Sequence, residues 1–135
     1  MCFRVLGPDT GGVTVSEIRR LFKGQRLTPA RRERLERGGR ILALCGRRVV
    51  GLAAYDRSDR ELRVEELGVD MTSACPPAAI ADGLLDALEL GCVAGNVRRL
   101  ILMPRAGALD VVLQHRGYVA IAKGPNGTWF EKRFA

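Results

Sequence analysis

The chain has 135 residues, of which 47% are apolar and 27% charged, with a formal net charge of +7. That is one domain's worth of sequence, able to bury about two thirds of its unfolded surface without staples, and the balance excludes a disordered or low-complexity chain. The longest uncharged stretch, Met71 to Ala81, is 11 residues, well short of the roughly 20 a bilayer-crossing helix needs, and no leader segment is expected before the first strand.

Taken along the chain, Phe3–Leu6 reads as a short strand closed by a Gly/Pro/Asp turn cluster. Val15, Ile18, Leu21 and Phe22 form one helical stripe, with Thr14 or Ser16 as cap. Thr28-Pro29 starts a second helix, to Arg37, whose only apolar anchor is Leu35, so it is expected on the surface. Ile41–Cys45 and Val49–Tyr55 read as a hairpin of largely buried strands. In the next strand, Glu61–Val69, the apolar phase runs 62, 64 and then 67, 69. Such a jump requires one extra residue, a β-bulge at Glu65-Glu66. Ile80, Leu84 and Leu88 mark the longest helix, Pro77 to Ala94. A buried strand (Arg99–Met103), a helix (Ala106–Arg116) and two final strands (Tyr118–Ala122 and Thr128–Phe134) complete the chain. The result is a single α/β domain over 1–135, with a mixed, mostly antiparallel sheet of about seven strands and about four helices.

Charge is uneven. Residues 19–48 carry eleven basic groups against two acids, and residues 56–89 carry nine acids against three arginines. The basic segment suggests an anionic partner, or simply a solvated helix face. It lacks interleaved aromatics apart from Phe22, so nucleic acid is not the expected partner. Cys2, Cys45, Cys75 and Cys92 form no Cys-x-x-Cys, and the chain has one histidine, His115. No metal site is expected, and the cysteines read as small buried residues of a reducing cytoplasm.

Three pieces in this order resemble the GNAT acyltransferase superfamily: Leu67-Gly68-Val69, then Ala79-Ile80-Ala81-Asp82-Gly83-Leu84-Leu85, then Gln114-His115-Arg116-Gly117-Tyr118. The resemblance implies a cytoplasmic acetyltransferase moving an acyl group from acetyl-CoA, or another acyl-CoA, to an amine. It implies that backbone groups of Leu67, Gly68 and Val69 bind the pantetheine arm. It also implies that the diphosphate sits at the helix start, at Pro77, Ala79, Ile80, Ala81 and Asp82, and that Glu65 or Glu66 is the base. Arg26, Arg31 and Arg34 would flank the acceptor entrance and favour an acidic acceptor. A homodimer is one arrangement such a domain could take. Against the family's pattern, Pro76 stands where Gln or Arg is usual, Ala79 replaces a glycine, Leu113 replaces a tyrosine acid and Ala106 an asparagine. The alternative is a catalytically degenerate module of the same fold that binds CoA, regulates or docks a protein. In the bland reading both glutamates are solvated strand carboxylates paired with Arg63.

Overall fold

The computed structural model describes residues 3–7, 13–22, 25–26, 28–37, 39–104, 109–125 and 127–134. The elements follow the expected order: β1 (Arg4–Leu6), α1 (Val15–Leu21), α2 (Pro29–Arg37), β2 (Gly39–Cys45), β3 (Arg48–Arg57), β4 (Glu61–Val69), α3 (Pro77–Ala94), β5 (Arg99–Leu102), α4 (Leu109–His115), β6 (Val119–Gly124) and β7 (Gly127–Arg133). Thr14 caps α1 in a reciprocal box with Glu17: Glu17 N–H donates to Thr14 Oγ1 (3.2 Å) and Thr14 N–H donates to Glu17 Oε1 (2.9 Å). Thr28 Oγ1 accepts from Arg31 N–H at 3.2 Å, as expected of the residue before a helix-opening proline.

The strands form one seven-stranded sheet in the order β1-β2-β3-β4-β5-β7-β6. Every pairing is antiparallel except β4 with β5. One face carries Ile41, Val64, Leu67, Val69, Leu100 and Leu102 against Ile80, Leu84 and Leu88 of α3 and Leu109 and Leu113 of α4. The other carries Leu42, Val49, Leu52 and Ala54 against Ile18, Leu21 and Phe22 of the α1 segment and Leu35 of α2. Helices on both faces explain why β3 reads as a nearly continuous apolar run.

The bulge falls where the phase jump puts it. Tyr55 opposes Val64 and Ala54 opposes Glu66, so Glu65 has no partner on β3. The extra residue returns Leu67 and Val69 to the α3 face.

The cysteines depart from expectation. Cys92 is buried and free, Cys45 is half-buried and free, and Cys2 lies outside the described residues. Cys75 is disulfide-bonded, which corrects its reading as a reduced thiol. Cysteine pairing is set by proximity in the fold, which the apolar flanks of a cysteine do not encode. Among the described residues, no helix is long and apolar enough to cross a membrane.

Candidate functional site

The parallel pairing of β4 with β5 runs from Glu61–Arg99 to Val64–Leu102 and stops there. Beyond the bulge, β4 continues to Val69 along β3 while β5 ends at Leu102. The 65–69 stretch thus has no ladder partner on its β5 side among the described residues, which leaves one row of its backbone groups outside the sheet's bonding. A cleft of about 400 Å³ lies at this end of β4, lined by Leu67, Gly68 and Val69, by Arg20, Leu21 and Gln25, by Asp70, Met71 and Thr72, and by Leu109 of α4. A Cβ on Gly68 would lie 2.6 Å from the Phe22 ring, so glycine here lets that ring press against the β4 backbone at the cleft wall.

The bulge sends the two glutamates to different surroundings. The Glu66 side chain is 0% exposed and faces α2. Arg31 grips it as a fork: Nε donates to Oε1 and Oε2 at 2.9 and 3.0 Å, and Nη2 lies 2.8 Å from Oε1. Arg31 also donates to Arg26 O (3.0 Å) and to Gln25 Oε1, and stacks 5.2 Å from the Phe22 ring centre. Glu65 is 25% exposed and takes Arg34 Nε on Oε2 at 2.7 Å. It opens on a smaller pocket of about 170 Å³, shared with Gly39, Ala54, Tyr55 and Asp56. Neither glutamate pairs with Arg63, which contacts Glu61 instead.

These contacts revise the reading of the basic segment. Arg31 does not face solvent at an acceptor entrance; it is buried on Glu66. Arg31, Arg34 and Leu35 share one face of α2 at helical spacing; the two arginines make three ion pairs to Glu65 and Glu66 of β4, and Leu35 joins the apolar cluster of β2 and β3. A basic row opposite Glu65-Glu66 was the available signal, but its partners lie more than 30 positions away.

Sequence reasoning also missed Asp70. It directly follows β4, is buried, and accepts from Thr72 N–H (2.9 Å) and Thr72 Oγ1 (2.7 Å). Arg48 Nη2 donates to its Oδ2 at 3.1 Å, and Arg20 Nε lies 3.3 Å from the same oxygen. Burial pushes the Asp70 carboxyl up, but the bonds from Thr72 and Arg48 outweigh it and hold it below its ordinary value. An apolar strand end followed by Asp-x-Thr, a turn-forming arrangement, was the legible sign.

At the start of α3, Pro76 is the N-cap residue, with no side-chain cap, and Pro77 is the first helical residue. Ile80 N–H already bonds Pro76 O at 3.1 Å, and the Ile80 and Ala81 side chains are buried in the core. Asp82 receives Arg116 Nη1 at 3.2 Å. Leu113 is fully buried, Ala106 lies outside the described residues, and the Tyr118 hydroxyl donates to Glu89 at 3.0 Å.

No family model matches the sequence, and no curated protein matches it. Many solved structures match the fold. One is an acetyltransferase from Streptococcus agalactiae, with TM-score 0.75, 14% identity and coverage of 99% of each chain. Another is a GNAT family acetyltransferase from Elizabethkingia anophelis with acetyl-CoA bound, with TM-score 0.73, 13% identity and coverage of 98% of this chain and 99% of that one. A third is the PaiA N-acetyltransferase from Thermoplasma acidophilum in complex with coenzyme A, with TM-score 0.60 and 11% identity; the match covers 70% of this chain and only 60% of that one. The chain therefore has the GNAT fold, with its seven-strand order, the β4 bulge and a β4 that outruns its parallel partner β5.

Proposed function

We propose that this protein is an N-acyltransferase that transfers an acetyl or related acyl group from acyl-CoA to an amine. The observation that carries this reading is the 67–69 stretch of β4, beyond the end of its pairing with β5 and lining a cleft of about 400 Å³. An extended pantetheine arm can lie along that edge and bond it as another strand would. Leu67, Gly68 and Val69 supply the bonding groups, and an inward N–H of the same stretch holds the carbonyl oxygen as it becomes an oxyanion.

The amine nitrogen attacks the thioester carbon and forms the new C–N bond. Its proton passes to a carboxylate. The C–S bond then breaks, and the CoA thiolate leaves and is protonated by solvent, since a thiol of ordinary pKa about 8.5 needs little assistance. Of Glu65 and Glu66, Glu65 is the base: Glu66 is clamped by the Arg31 fork inside the fold, whereas Glu65 opens on a pocket and its partner Arg34 is 42% exposed and able to swing out. Glu66 holds α2 against β4 through Arg31.

The test is calorimetry with acetyl-CoA followed by turnover of an amine panel. Wild type binds acetyl-CoA with micromolar affinity, about −8 kcal/mol. Glu65→Gln keeps that affinity and lowers kcat by about 100-fold. Absence of binding at millimolar acetyl-CoA overturns the reading. One observation favours a second reading, a non-catalytic module of the same fold: Pro76-Pro77 and Leu113 stand where the superfamily's phosphate loop and acid would be. Acetyl-CoA binding with no turnover of any amine, and no effect of Glu65→Gln, selects it.

A further inference from the structure

The start of α3 is a weak anion site. Of the four backbone positions that leave an N–H outside the helical ladder, Pro76 and Pro77 have none, so only Ala78 and Ala79 contribute. The loop before them turns its own amides inward: Thr72 N–H donates to Asp70 Oδ1, Ser73 N–H to Asp70 O and Cys75 N–H to Ser73 Oγ. A diphosphate emerging from the cleft at this end meets little backbone charge.

Two guanidinium groups stand at the same mouth. Arg20 reaches it from α1 and Arg48 from the first residue of β3, and both converge on Asp70 Oδ2, at 3.3 and 3.1 Å. Arg20 and Asp70 both line the cleft, with Met71 and Thr72. One carboxylate between two guanidiniums leaves a net positive charge. Donor capacity also remains: the Arg48 side chain is 53% exposed and that of Arg20 31% exposed, although Arg20 Nε itself is buried against Asp70. Arg20 is further fixed by donating from Nη2 to Val49 O.

We infer that Arg20 and Arg48, oriented by Asp70, bind the diphosphate of the acyl-CoA and replace the backbone cradle that the two prolines remove. The inference rests on the acyl-CoA reading above. Guanidinium forks match phosphate oxygens bidentately, and side chains already held by a buried carboxylate lose less freedom on binding. Asp70 is thus a positioning residue, and its charge keeps both forks facing the cleft mouth.

The experiment titrates coenzyme A and phosphate-free pantetheine into wild type, Arg48→Gln and Arg20→Gln by calorimetry. Each substitution weakens coenzyme A about tenfold or more, the size of one lost charge-assisted contact, and leaves pantetheine affinity unchanged. Added salt weakens coenzyme A binding more in wild type than in Arg48→Gln. Unchanged coenzyme A affinity in both variants overturns this assignment and leaves the acyl-CoA reading standing. Pantetheine affinity that falls in parallel also overturns it, because the arginines then only hold the cleft's shape. Absence of coenzyme A binding by wild type overturns both readings. Arg48→Gln leaves Asp70 its contacts with Thr72 and Arg20, so a folded variant is expected from at least that substitution.

Discussion

Of the arginine–carboxylate clusters that tie helices to this sheet, those of Glu66 and Arg116 are built on opposite principles. Under α2, Glu66 is sealed from water and depends chiefly on Arg31, with Arg34 Nη2 more distant at 3.5 Å. On the outer side of α3, Arg116 meets three carboxylates one helical turn apart: Asp82 at 3.2 Å, Asp86 at 2.6 Å and Glu89 at 3.1 Å. Glu89 in turn receives Lys132 (2.8 Å) and Tyr118 (3.0 Å) as well as Arg116. Both clusters have good geometry. They differ in redundancy and in access to water, and those two quantities decide what happens when a partner is lost. The buried cluster is brittle and bonds Gln25 of the cleft wall through Arg31, whereas the outer one is redundant and contributes no residue to the cleft lining.

The largest effect is expected at the brittle cluster. Glu66→Ala leaves the Arg31 guanidinium buried without its carboxylate and should cost about 3–5 kcal/mol of folding stability. Urea denaturation measures the loss. Limited proteolysis should show cleavage moving to the α2 segment, because Leu35 is its main remaining apolar anchor. A cost below about 1 kcal/mol, the range of a solvent-exposed pair, would erase the distinction between the clusters.

The same contrast explains what the sequence could reveal. Periodicity carried the element order, because each core strand and helix satisfies its own apolar face. The bulge was legible because a phase jump from Val64 to Leu67 is a local event, and the register confirms it opposite Ala54 and Tyr55. The cation and the aromatic of Gln114–Tyr118 drew notice as a motif, and their physical role is to tie α4 and β6 to Glu89. What stayed hidden was polar and long-range. Arg31 reads as a surface residue of a helix with a poor apolar face; only its partner 35 positions later makes burial tolerable. Asp70 likewise looked like a loop residue, because the arginines that hold it come from α1 and β3. The disulfide at Cys75 has the same cause, a pairing that neighbouring residues do not specify.

A smaller effect follows from pH at the outer cluster. Burial pushes the Glu89 carboxyl up, but the bonds from Arg116, Lys132 and Tyr118 outweigh it and hold it below its ordinary value. A depressed folded value means the unfolded chain binds the proton more readily. The contribution is therefore complete above the ordinary glutamate value of about 4.3 and is lost as pH falls through the lower folded value. Thermal melts of wild type and Glu89→Gln between pH 7 and 3 should converge on acidification. A gap that persists at pH 3 would show that Glu89 acts by packing rather than by charge.

The smallest effect is expected at Tyr118. Its ring is buried in the α3–α4 core and its hydroxyl gives Glu89 one of three bonds. Burial first, and the Glu89 charge next, push that hydroxyl well above its ordinary pKa, so it stays a neutral donor at any working pH. Tyr118→Phe keeps the ring, the apolar area and the stacking of Lys132, which sits 5.5 Å from the ring centre. It removes one neutral donor to a carboxylate that retains two cations, so the loss should be about 1 kcal/mol. The same substitution should leave acetyl-CoA affinity and turnover unchanged, because the cleft is lined from β4, α1 and the start of α4 rather than by Tyr118. Urea denaturation and a kcat/KM measurement check the two halves separately. A drop in turnover at undiminished stability would mean that the outer cluster communicates with the cleft, and the division between a redundant scaffold and a brittle site would fail.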